Sequence, residues 1–481
     1  MQRYNLPKNN GPRTPFSAQA DISDIPDSWG SSDIPANVPQ RAPAQGAPTM
    51  APLADSAAAA VKTIPKGTVE IADSHVHHDS VLFVRGVLNE AIRRGASDIH
   101  FEPFSQDYRI RLRVDGVLAE FTRRPREEYE TTLNAVKVLA DMDIAEHVLP
   151  QDGHIELVLQ QIDQMVPVHQ GETANVPKTD GGATDQYYDV RVSVFPSVNG
   201  EVIVMRVLNR ANALLSVEEL GMDSESLQKL RVVLLTSYGM VLVTGPTGSG
   251  KTTTLYSILQ ELKSEDKNIV TLEDPIEFHL DWIRQSEIRE DRGFTFERAM
   301  TSILRQDPDV LMVGEIRDPH TAEYAVRSAL VGRIVGSTIH ANTAIGTIAR
   351  LLDLGIQRSI LAHSINAIIA QRLVRKVCEK CLEEYEPSNI AMQHFGLELS
   401  HGPFHRGKGC DACNGTGFKG RTGIFSVMVL DDSLRSLIFD QRPLAEIQEH
   451  AIAGGMRTLK MDAAAKILAG LTTVEEAARA V

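Results

Sequence analysis

Residues Gly245-Pro246-Thr247-Gly248-Ser249-Gly250-Lys251-Thr252 constrain this chain more than any other stretch. They follow a short apolar run, Met240–Thr244, and open a helical pattern, TTTLYSILQELK. A glycine-rich turn in that setting lets backbone amides close around a phosphate, and the helix N-terminus adds its positive dipole end. Lys251 is placed to reach β- and γ-phosphates and the Thr252 hydroxyl to ligate Mg²⁺, with Thr253 extending the Gly-Lys-Thr-Thr-Thr run into the helix. A chance glycine turn rarely carries that run. Around it, GMVLVTG, NIVTLED, DVLMVGE and RIVGSTIH alternate with helical stretches such as TAEYAVRSALVG. That alternation predicts a largely parallel sheet covered on both faces.

Ligands of such sheets bind at the carboxyl edge of the strands. Three strand ends downstream of the loop carry polar groups toward that edge: Glu273-Asp274-Pro275-Ile276-Glu277, Gly314-Glu315, and Ser337-Thr338-Ile339-His340. Each alone is a weak signal, since a strand-end acid or histidine is usually a satisfied surface residue. Together they point to nucleotide chemistry, with Glu315 ordering metal-bound or attacking water. Gly314 stands where an ordinary strand of this type would carry Asp.

Upstream, SVLFVRGVLNEAIRRG has helical periodicity, and SDIHFEPF, YRIRLRVDGVLAEF, HIELVLQQI, YYDVRVSVF and EVIVMRVLN alternate as strands. Ile110, Leu112 and Val114 share one face, Arg109, Arg111 and Arg113 the other. These elements predict an α+β domain, and the polar stretch at about 163–186 a long surface loop. Before them, residues 1–75 hold ten of the 23 prolines and few large apolar groups, as expected of a disordered tail. Within it Trp29 suits either plain disorder or a short docking motif. The net charge of −14 lies outside residues 1–70, which carry six basic and six acidic groups. Such a balance disfavours a dedicated nucleic-acid binder. No apolar run reaches membrane-spanning length and the N-terminus has no secretory h-region, so the expectation is a cytosolic protein with no transmembrane segment.

The four cysteines form Cys378-x-x-Cys381 and Cys410-x-x-Cys413, with 28 residues between the pairs. Two tight turns offering four thiolates make a closed tetrahedral Zn²⁺ site, structural because no position is left for water. The cluster Asp73-Ser-His75-Val-His77-His78-Asp79 reads as a solvated linker and is not counted as a metal site.

GPTGSGKTTTLYSIL, VTLEDPIEF, ILRQDPDVLMVGEIRD and STIHANTA, in this order, resemble the type II secretion and type IV pilus assembly ATPase family (GspE/PilB-like). ASDIHFEP, RLRVDG, PQDGHIEL and RVSVFPSVNGEVIVMRVL extend the resemblance from about residue 80 to the end. It implies a RecA-like P-loop ATPase domain over 211–481, with a zinc-binding insert at about 375–420 and C-terminal helices, preceded by an α+β (PAS-like) domain over 76–210. It further implies a cytoplasmic homohexamer at the inner face of the inner membrane, powered by ATP with Mg²⁺. Its partners would be a polytopic platform protein and a cytoplasmic docking protein. The resemblance makes 270–277 an aspartate box, Glu315 the catalytic acid and His340 a histidine-box residue. Arg191, Arg206 and Arg305 match positions of nucleotide-contacting arginines, with Arg113 a lesser candidate. Thr301 departs from the pattern where arginine is frequent: either Arg298 substitutes from about one turn earlier or that contact is absent. The zinc insert favours pilus assembly or secretion over pilus retraction. A ring ATPase of conjugation or DNA uptake, and a nucleotide-gated scaffold without productive hydrolysis, are the alternatives.

Overall fold

The computed structural model describes residues 78–160, 164–167, 186–209 and 215–481. The tail with Trp29, His75 and His77, and most of the 163–186 stretch, lie outside them.

The first seven strands are β1 (Ala96–Pro103), β2 (Asp107–Val114), β3 (Val117–Pro125), β4 (Gln151–Gln160), β5 (Gln164–Pro167), β6 (Gln186–Ser197) and β7 (Gly200–Asn209). They form one antiparallel sheet in the order β3-β2-β1-β7-β6-β4-β5. Part of the expected 163–186 loop is therefore strand: β5 pairs with β4 from Leu157↔Pro167 to Gln160↔Gln164. Alternation divides the sheet as the pleat requires. Ile99, Phe101, Ile110, Leu112, Val190, Ile203 and Met205 turn into a core with helices α1 (His78–Arg93) and α2 (Tyr129–Leu139). The opposite residues Asp98, Arg113, Arg191 and Arg206 leave that face charged, and Asp98 lies 3.3 Å from both Arg113 and Arg206. The Asp115–Gly116 turn has positive φ at both residues, and Asp115 accepts the Gly420 N–H at 3.0 Å.

The second sheet holds β8 (Gly239–Thr244), β9 (Ile269–Glu273), β10 (Arg284–Glu287), β11 (Val310–Ile316), β12 (Ile334–Ile339), β13 (Ile365–Val377) and, after the small pair β14 (Leu382–Glu384) and β15 (His405–Gly407), β16 (Phe418–Val429). Its order is β10-β9-β11-β12-β8-β13-β16, parallel except for the β13–β16 pair. Every residue of β8, β9 and β12 is buried. Met240 and Leu242 enter one apolar core, while Val241 and Val243 enter another with α3 (Ser224–Leu234) and α4 (Lys251–Leu262). A sheet covered on both faces explains the continuous apolar strands. Because β8, β9, β11 and β12 run parallel, the residues after all four emerge along one edge.

Candidate active site

Gly245–Gly250 leaves the end of β8 and α4 begins at Lys251. Two glycines are dictated by the neighbouring strand β13. A Cβ on Gly245 would lie 2.5 Å from the Gln371 carbonyl, and one on Gly250, at φ +85°, would lie 2.9 Å from Gln371 Nε2. Gln371 is itself fixed, its Oε1 accepting the Thr254 hydroxyl at 2.7 Å. Lys251 Nζ donates to the Gly245 and Pro246 carbonyls at 3.0 and 3.1 Å, so the ammonium curls over the loop. Burial holds its pKa below the usual lysine value; Glu315 opposes that shift and Arg372 adds to it. Ser249 is buried, and its Oγ has no partner among the described residues. That hydroxyl and the loop amides suit a phosphate. Thr252 and Thr253 are half-buried at the helix start.

Glu315 is the last residue but one of β11 and follows a register shift against β12, which passes from Val313↔Ser337 to Glu315↔Thr338. Thr338 Oγ1 secures the shift by donating to the Gly314 carbonyl at 2.8 Å. The Glu315 carboxylate sits 3.3 Å from His340 Nε2 and pairs on its other oxygen with Arg317. Arg317 also lies 3.7 Å from exposed Asp274. Glu315, His340 and Asp274, from three strand ends, thus converge through Arg317. Sequence reasoning overlooked Arg317, although residues two apart share one side of an extended chain.

Glu273 is placed differently. It is 2% exposed, accepts the Tyr256 hydroxyl, and takes Thr271 Oγ1 at 2.5 Å and Gln285 Nε2 at 3.1 Å. Its carboxylate faces under the sheet edge, where burial and Glu273 together raise the Tyr256 pKa. Such a satisfied buried group anchors the 274–277 turn to α4. Glu277 is half-buried on that turn.

Arg191, on β6, donates from Nη2 to the Ile276 carbonyl at 2.9 Å, which brings the charged face of the first sheet onto the 274–277 turn. Arg206 is 62% exposed and bonded to Asp98. Arg305, in the 3₁₀ turn Leu304–Gln306, bonds the Thr301 carbonyl and the Ser302 hydroxyl of the preceding helix Phe296–Ile303, at 3.1 and 3.4 Å, and neither group belongs to the loop or the acid cluster. Arg298 donates to the Gly293 carbonyl at 2.9 Å, also away from both.

Oxygen donors suit Mg²⁺, and the Thr252 hydroxyl and the carboxylates of Glu315 and Asp274 are the groups that could hold it directly or through water. The cysteines fit a different ion. The four Sγ atoms lie within 4.8 Å of one another, with Cys378–Cys410, Cys381–Cys413 and Cys410–Cys413 at 3.9, 3.8 and 3.7 Å. A tetrahedron with Zn–S bonds of about 2.3 Å has edges of about 3.8 Å. Cys413 Sγ also accepts N–H groups from Cys410 and Gly417 at 3.2 and 3.3 Å, the donors that steady a thiolate. The cluster ties the end of β13 to the start of β16, where Val377 pairs with Phe418.

A covered parallel sheet, a phosphate loop on one of its central strands and acids at neighbouring strand ends define a RecA-like P-loop ATPase class of α/β protein. Within that class the chain belongs to the family described as Type II/IV secretion system protein, which matches residues 77–180 and 182–479. It is 42% identical over 400 residues to the type II secretion system protein E of Pseudomonas aeruginosa, covering 83% of this chain and 75% of that one. It is 41% identical over 400 residues to the type IV pilus assembly ATPase PilB of Myxococcus xanthus, covering 82% and 67%. Among solved structures, the pilus retraction motor PilT with bound ADP superposes with a TM-score of 0.52 at 25% identity, covering 81% of this chain and 94% of that chain. Among the described residues no helix is long and apolar enough to cross a membrane.

Proposed function

We propose that this chain is the ATP-hydrolysing motor of a type IV pilus assembly or type II secretion machine, working as a homohexameric ring against a polytopic inner-membrane platform protein. It is an ATPase, a reading its named relatives support. One observation carries the mechanism: Glu315 is held between His340 and Arg317 on the strand-end edge that also bears the phosphate loop. The loop amides, Ser249 and Lys251 hold the polyphosphate. Glu315 orients water for in-line attack on the γ-phosphate and takes its proton. His340 steadies the carboxylate, and Arg317 holds Glu315 and Asp274 in register. Mg²⁺, when bound near Thr252, supplies charge neutralisation on the phosphates.

Residues 76–210 and 211–481 act as two domains that close on one another. Arg191, already at the 274–277 turn, and Arg206 then contribute positive charge, which links hydrolysis to movement. Zn²⁺ held by Cys378, Cys381, Cys410 and Cys413 is structural. The protein works from the cytoplasm at the inner face of the membrane. An arginine at the γ-phosphate is worth about 10³–10⁵ in rate. Arg191→Ala is accordingly expected to lower kcat about 10³-fold while ATP affinity changes little, read by phosphate release and equilibrium titration. An unchanged kcat would remove Arg191 from the site. Native mass spectrometry with ATP and Mg²⁺ tests the ring: a species of six subunits is expected, and a monomer at all concentrations would sink the hexamer.

A further inference from the structure

Strand β13 pairs with β8 only as far as Ala370↔Thr244 and then runs on, so Gln371 and Arg372 lie alongside the phosphate loop. A cleft of about 250 Å³ opens there, lined by Pro246–Ser249 on one side and by Arg372, Leu373 and Arg479 on the other. The two arginines differ. Arg479 is paired with Glu476 at 2.8 Å. Arg372 is half-buried and has no carboxylate within ion-pair distance among the described residues. Its guanidinium bonds only neutral oxygens: the Gln371 and Asn342 carbonyls at 3.0 Å each and Asn342 Oδ1 at 3.4 Å. Asn342 follows His340 by two residues, so these bonds steer Arg372 toward the cleft from the histidine-bearing loop. Besides burial, the charge of Arg372 lowers the Lys251 pKa. The unpartnered, buried Ser249 hydroxyl belongs to the same lining.

A half-buried cation without a counter-charge is costly unless an anion completes it. Arg372 and the unpartnered Ser249 hydroxyl beside one space, next to a loop over which the Lys251 ammonium curls, call for a polyanion. We propose that Arg372 is a nucleotide-phosphate ligand supplied by the same chain that carries the phosphate loop. The proposal rests on the reading of Gly245–Thr252 as that loop. It gives the site a fixed arginine of its own, independent of Arg191 and Arg206 on the first sheet.

The test uses the full chain carrying Glu315→Gln to suppress turnover, with equilibrium binding of ATP, ADP and adenosine. Arg372→Gln should weaken ATP binding by ten- to a hundredfold, the worth of a charge-assisted bond. ADP should lose less and adenosine nothing, while Arg372→Lys should recover part of the ATP affinity. A merely structural arginine would not produce a loss graded by phosphate number. Equal losses for all three ligands, or none, would overturn the assignment. Lys251→Ala in parallel separates the two readings. Unchanged ATP affinity there overturns the loop itself, whereas loss there with Arg372→Gln unaffected overturns only the role of Arg372.

Discussion

Glu315→Gln should stop steady-state ATP turnover, by about 10²–10⁴-fold, while leaving ATP binding nearly intact. The amide matches the carboxylate in shape but cannot take a proton. The site explains why no neighbour replaces it. Glu273, the other acid at a nearby strand end, is engaged with Tyr256, Thr271 and Gln285. Asp274 belongs to the Arg317 contact and is exposed. His340 would lose its carboxylate partner and Arg317 would keep only Asp274, so a modest loss of stability is expected too. Phosphate release and a titration with a slowly hydrolysed ATP analogue read the two effects separately. Full turnover in the variant would take Glu315 out of its proposed role.

Loss of the metal should have the largest effect on structure. Zn²⁺ contributes on the order of 10 kcal/mol in isolated fingers, and here it would close the two cysteine turns at the base of the 378–417 segment. The cysteines form a small cluster of their own, while Met392, Leu397 and Phe404 of the same segment pack into the main core of the second sheet. Cys413→Ser removes the sulfur that takes two backbone N–H bonds. The variant should lose the metal and become sensitive to protease within 382–409, with native mass spectrometry reading zinc content. The damage should spread along β13. Val377 N–H bonds the Leu471 carbonyl at 2.9 Å and Arg375 pairs with Glu476 at 2.7 Å, so the C-terminal helices lean on the hairpin that the metal closes. Gln371 and Arg372 lie further back on that strand, beside the phosphate loop. Weaker ATP binding should therefore accompany metal loss. A variant that keeps one zinc per chain and its protease resistance would contradict this account.

The parts legible in the sequence were those encoded by local spacing. The phosphate loop, the cysteine turns and the strand ends bearing Glu315 and His340 are each fixed by a few adjacent residues. The parallel order followed from strand–helix alternation. Other features depend on contacts between distant segments. Glu273 and Asp274 look alike in the sequence, yet one turns under the sheet and the other outward, as alternation along an extended chain requires. Arg372 becomes part of the site only because β13 outruns β8. Arg305 followed a resemblance, but its helix end directs it back onto Thr301 and Ser302. The short strand β5 was hidden inside a polar stretch because its pairing with β4 carries little periodic signal.

The most direct test of a ring motor with interdependent sites is phosphate release from mixtures of the wild-type and Glu315→Gln chains. If hydrolysis in one subunit drives movement of its neighbours, activity should fall much faster than the wild-type fraction. A strictly linear fall, with each wild-type chain retaining its full rate whatever its neighbours, would contradict the account.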